Sequence, residues 1–144
     1  MGLDMYLNGK RFLWHHEDTV AEEIKEAIPE LTQQRVKEVV IEAGYWRKAN
    51  AIHKWFVDNV QGGTDDCGGY RVSREDLTKL RDICQQVLDF RHLAVDKLPP
   101  AKGFFFGSSD INEWYFEDIK QTITICNEAL ALPESWEFEY HSSW

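Results

Sequence analysis

The spacing of apolar positions changes along the chain, and each change marks an element. Two short aromatic-containing runs, Leu3 to Leu7 and Arg11 to Trp14, flank Asn8-Gly9. Asn-Gly tolerates positive φ at both positions and is a strong two-residue hairpin signal, so the pattern predicts an N-terminal β-hairpin. Thr19 with Glu22 three residues later forms a capping box, and Val20, Ile24 and Ala27 share a face until Pro29, predicting a short helix. Residues 36–43 are rich in β-branched side chains interrupted by Lys37, Glu38 and Glu42, the pattern of a strand buried mainly on one side. From Tyr45 to Val60 the period reads as helical. At a step of about 100° per residue, Trp46, Ala49, Ile52, Phe56, Val57 and Val60 fall on one broad arc, while Arg47, Lys54 and Asp58 point away.

Residues 61–69 hold four glycines and two aspartates, which favour turns over regular elements. Ser73 then caps a helix with Asp76 as its box partner, and Leu77, Leu80, Cys84, Val87 and Leu88 form its buried stripe up to about Phe90. Beyond Pro99-Pro100, the run Gly103-Phe104-Phe105-Phe106-Gly107 is too short for a helix and reads as a strand that needs cover on both faces. Asp110 and Glu113 open a last helix, striped with Ile111, Tyr115, Ile119, Ile123, Cys126 and Leu130. Trp136, Phe138 and Tyr140 alternate with Glu137, Glu139 and His141, a terminal strand expected in the same sheet as 104–106. The order predicts an α+β fold, a mixed, mainly antiparallel sheet with helices packed on one side, in a single domain over residues 1–144.

Composition narrows the function classes. The formal charge of −9 repels polyanions, which argues against direct nucleic-acid binding and suits a basic protein surface. No apolar stretch reaches the roughly 20 residues of a membrane span, and the start Met1-Gly2-Leu3-Asp4 lacks a signal-peptide pattern, so a cytoplasmic location is expected, that of the host if the chain is phage-encoded. Cys67, Cys84 and Cys126 are an odd number without Cys-x-x-Cys spacing, as free thiols in a reducing compartment would be. His15-His16-Glu17-Asp18 and Asp65-Asp66-Cys67 lack the spacing of known metal motifs, and the 61–69 loop lacks a P-loop ending, so neither metal nor cofactor is expected.

Candidate chemistry concentrates in residues 45–56. Asn50 and His53 fall within or beside the apolar arc, where polar groups need partners. They either bond to nearby backbone or line a ligand site. In the second case Trp46, Arg47, Asn50, His53 and Trp114 are the candidate ligand-binding residues: aromatic faces stack a planar ring, and Arg47 or Lys48 meets phosphate. His53 could act as a general base, but no nucleophile-elbow pattern surrounds any Ser or Cys, so no catalytic residue is assigned.

Gly-Leu-Asp-Met-Tyr-Leu (2–7), Tyr-Trp-Arg-Lys-Ala-Asn-x-Ile-His-x-Trp-Phe (45–56), Cys67 with its glycines, Gly-Phe-Phe-Phe-Gly-Ser (103–108), Trp114-Tyr115 and the closing Ser-Ser-Trp (142–144) together span the chain. On these residues the sequence resembles a widespread family of small proteins encoded by phages and prophages, which carries no established activity to transfer. Gly44 is a departure, standing where a β-branched or small apolar residue is expected. The resemblance implies an accessory protein that acts by binding: an anti-CRISPR-like antagonist of a host defence protein, or alternatively a small-molecule site, either a sponge for a nucleotide-like signal or a small enzyme using His53.

Overall fold

The computed structural model describes residues 2–103 and 107–144. Four strands and five helices follow in the order β1 (Asp4–Phe12), α1 (Asp18–Ala27), β2 (Glu38–Arg47), α2 (Asn50–Asn59), β3 (Tyr70–Val72), α3 (Arg74–Asp89), α4 (Ala94–Lys97), α5 (Glu113–Ala131) and β4 (Trp136–Ser143). The strands form one sheet in the order β2-β1-β4-β3, antiparallel at every pairing. The fold is α+β, as the pattern predicts.

The N-terminal hairpin is not formed. β1 runs unbroken through Asn8-Gly9, pairing with β2 from Asp4↔Arg47 to Phe12↔Glu38 and with β4 from Asp4↔Ser143 to Arg11↔Trp136. A strand hydrogen-bonded on both edges outweighs a local turn preference, because two ladders replace the one a hairpin would make. The close approach of neighbours uses the small residue: a Cβ on Gly9 would lie 3.0 Å from Ile41 and 3.5 Å from Phe138. The irregularity instead falls between Leu7 and Asn8, which pair with Gly44 and Glu42 and leave Ala43 as the extra residue of a bulge.

The helix expected from Tyr45 starts at Asn50, and Tyr45, Trp46 and Arg47 belong to β2. Alternation accounts for the burial equally well there: Gly44 and Trp46 point into the core while Tyr45 does not. Trp46 is fully buried and its Nε1 donates to Thr122 Oγ1 at 2.9 Å, tying β2 to α5. Thr19 lies inside α1 and not at its cap. Asn112, not Asp110, caps α5, its side chain accepting from the Tyr115 N–H at 3.2 Å.

Two elements follow their patterns closely. Ser73 Oγ accepts from the Asp76 N–H at 3.0 Å and the Asp76 carboxylate accepts from the Ser73 N–H at 3.2 Å, closing the capping box of α3. In β4, Phe138, Tyr140 and Ser142 are buried while the residues between them are not. β3 and α4, three and four residues long, carry no period a sequence can show. The strand expected at 104–106 lies outside the described residues.

The inner face of the sheet, with Met5, Leu7, Trp46, Phe138 and Tyr140, joins Ile52 and Phe56 of α2, Leu77, Leu80 and Cys84 of α3, and Ile119 and Cys126 of α5 in one core. On the outer face Tyr6 stacks on His141, ring centroids 4.8 Å apart, and stays half-exposed. All three cysteines are free, Cys67 exposed and the others buried. Among the described residues no helix is long and apolar enough to cross a membrane.

Candidate functional site

A cleft of about 340 Å³ opens where the β2–α2 turn faces the start of α5, with Arg47, Lys48, Asn50, Gly107, Trp114 and Asp118 on its walls. Its size is at the lower end of the range for small-molecule pockets.

The β2–α2 wall is shaped by a tight reversal. Lys48 adopts φ +56°, its N–H donates to Leu3 O at 2.7 Å, and its carbonyl accepts from the Asn50 N–H at 2.9 Å. A left-handed conformation is unfavourable for a residue with a Cβ, so this turn is held by the contact to Leu3, just ahead of β1, and not by local preference. It turns the chain sharply enough that Arg47, Lys48 and the first turn of α2 face one space. Ala49 occupies the cap position and supplies no side-chain acceptor, and Ala51 and Ile52 line the cleft. A helix N-terminus whose cap residue offers no side-chain acceptor, next to two cations, favours an anion.

Asn50 is buried and spans to the facing segment: its Nδ2 donates to Ser108 O at 2.7 Å and its Oδ1 accepts from the Ala101 N–H at 3.2 Å. It therefore fixes the cleft wall. Gly107, at φ +80°, sits against the Lys48 side chain, where an added Cβ would meet Lys48 Cβ at 3.4 Å.

The α5 wall carries Trp114, 80% exposed, and Asp118 one turn further on. Burial, and secondarily Glu117, push the Asp118 pKa up to about 6. Because this lies above the ordinary carboxylate value, the folded state keeps the proton at pH values where the unfolded chain has lost it. Asp118 therefore costs stability increasingly as pH rises from about 4 through 6, on the order of 1–2 kcal/mol above that window once solvent screening is allowed for. Asp118→Asn is expected to raise the melting temperature at pH 7.5, with the gain shrinking toward zero near pH 4; paired thermal denaturation curves check this.

Of the five residues singled out from the sequence, Arg47, Asn50 and Trp114 meet at this cleft. Trp46 and His53 do not line it. His53 is 1% exposed, with Nδ1 2.6 Å from Tyr140 Oη and Nε2 2.9 Å from Asp65 Oδ2. The Asp65 carboxylate can only accept, so Nε2–H donates to it, while Nδ1 faces the Tyr140 hydroxyl, which burial first, and then Asp65 and Cys67, keep protonated. Asp65 also accepts from Trp144 Nε1 at 3.1 Å. Both imidazole nitrogens are thus engaged, and the arrangement ties the 61–69 loop to the C-terminus. Asp118 escaped the sequence reading, although its offset of four from Trp114 puts the two on one helix face. No family model, curated protein or solved structure matches this chain significantly.

Proposed function

We propose that the chain is a binding protein without catalytic function whose cleft takes a small anionic molecule with a planar ring, of the nucleotide class, and withholds it from other proteins. The observation that carries this reading is the convergence of Arg47, Lys48 and the first turn of α2 with the exposed indole of Trp114. Phosphate is met by guanidinium, ammonium and backbone N–H groups, and a ring stacks on the indole. The engagement of both His53 nitrogens away from the cleft supports binding over turnover. The resemblance to phage-encoded accessory proteins supports sequestration of a host signal.

Titration calorimetry with mononucleotides and cyclic dinucleotides tests the reading. Arg47→Ala and Lys48→Gly are each expected to weaken binding by about tenfold or more, the usual scale for a lost charge-assisted contact. Lys48→Gly keeps the left-handed turn without its Cβ strain, so the folded structure is retained. Ligand recovered unchanged supports sequestration; ligand recovered chemically altered would refute it.

A second reading, antagonism of a host defence protein, is favoured by a separate surface. Phe12 and Trp14 are exposed and pack edge to face at 4.8 Å beside Glu38, Glu134 and Glu137, which line a depression of about 460 Å³. Aromatic anchors rimmed by carboxylates suit a basic protein surface. A stoichiometric partner recovered from bacterial lysate, and lost with Trp14→Ala but not with Lys48→Gly, would support it.

A further inference from the structure

The two walls of the cleft carry opposite charges, and the difference restricts what can lie between them. Arg47 and Lys48 stand on the β2–α2 side, and Asp118 stands on α5. The Asp118 carboxylate is partly buried, on the cleft wall. A carboxylate partly withdrawn from water is best matched by an occupant that brings donors. Two parallel N–H groups serve it best, because a carboxylate accepts them in a bidentate pair.

Trp114 and Asp118 are four residues apart on α5, so their side chains rise from the same helix face with Cβ atoms about 6 Å apart. A ring lying on the Trp114 indole therefore has its edge beside Asp118, while its phosphate crosses to Arg47 and Lys48. The common bases differ at that edge. Adenine and cytosine offer one amino donor beside an acceptor, and uracil offers one N–H between two carbonyls. Guanine alone offers two adjacent donors, N1–H and the 2-amino group.

Resting on the nucleotide reading of the cleft, we infer that its ligand is a guanine nucleotide, with the N1–H and 2-amino edge held by Asp118, the ring on Trp114 and the phosphate at Arg47 and Lys48.

Calorimetry at pH 7.5, where Asp118 is ionised, with GMP, IMP, AMP, XMP and 2′-deoxy-GMP tests the assignment. GMP should bind at least about tenfold more tightly than IMP, which lacks the 2-amino group, and than AMP, because a site built for two donors rejects a ligand that leaves a polar group unpaired. Deoxy-GMP should match GMP within about twofold, since the ribose does not meet Asp118. Asp118→Asn should bring GMP down to the IMP level and raise XMP above GMP, because an amide presents one donor and one acceptor to a ring that does the same. The melting temperature of the variant reports that it folds. Equal binding of GMP and IMP, abolished by Lys48→Gly, would overturn the guanine assignment and leave the nucleotide cleft standing. Loss of binding confined to deoxy-GMP would put Asp118 on the ribose and also overturn it. Failure of all the mononucleotides and cyclic dinucleotides to bind would overturn both.

Discussion

His53→Ala is expected to lower stability by about 3 kcal/mol, at the upper end of the cost of stranding buried hydrogen-bonding groups. Nucleotide affinity at the cleft should not change in the fraction that remains folded. The size follows from the number of groups left behind. The Tyr140 hydroxyl, on a fully buried ring, loses its Nδ1 partner, and Asp65 loses the Nε2 donor. Tyr140 also lies flat against Phe56 with ring centroids 3.9 Å apart, so it cannot swing away to find water without opening the core. A cavity the size of an imidazole adds to the loss. Urea denaturation gives the stability change, and titration calorimetry in the folded range gives the affinity. A variant of unchanged stability that no longer binds ligand would return His53 to the site and contradict its structural role.

A second large effect is expected at Gly44. This glycine is buried on β2 where α5 crosses the sheet, and an added Cβ would come within 2.4 Å of Ile125 Cγ2 and 3.2 Å of its Cδ1. Ile125 branches at its own Cβ and cannot withdraw Cγ2 by rotating a distant bond. Gly44→Ala should therefore destabilise by about 2 kcal/mol, as overpacked cores do, and Gly44→Val by more. Ile125→Ala alone should also destabilise, by removing buried apolar volume. In the double variant Gly44→Ala with Ile125→Ala the losses should fall short of additive, since the inserted methyl occupies space the isoleucine vacated. Strict additivity in denaturant midpoints would show that the contact does not limit packing. The absence of a β-branched residue at this position, unexpected from sequence, is thus explained by the close passage of a helix.

The same distinction separates what was legible from what was not. The Ser73–Asp76 capping box and the alternation from Trp136 to Tyr140 were readable because each is decided within a few residues. Within the 45–60 stretch, the helical face of α2 was legible, but its start was not. Trp46 fits both a helical arc and an alternating strand, and only its pairing with Met5 and its bond to Thr122 decide between them. Asn8-Gly9 carries a genuine turn preference that the β2 and β4 ladders override, and neither ladder is visible from the local sequence.

The candidate site follows the same rule. Arg47, Asn50 and Trp114 could be named from residue chemistry, yet 64 positions separate Asn50 from Trp114, and their meeting depends on how α5 packs across β2. His53 was rightly marked as a polar group on an apolar face, but which partners it has is a long-range fact, involving Tyr140, 87 residues away. Asp118 gains its character from burial beside the cleft, and secondarily from Glu117. By itself, the sequence determined the α+β class, the helix α3, the terminal strand and the residue types available for binding, because propensity, capping and periodicity act over one or two turns of chain. Tertiary structure alone decided the unbroken central strand, the glycine under α5, and which polar groups are satisfied and which face an open cleft. Those outcomes depend on free energies of pairing and burial between segments distant along the chain, and those energies exceed the local preferences they displace.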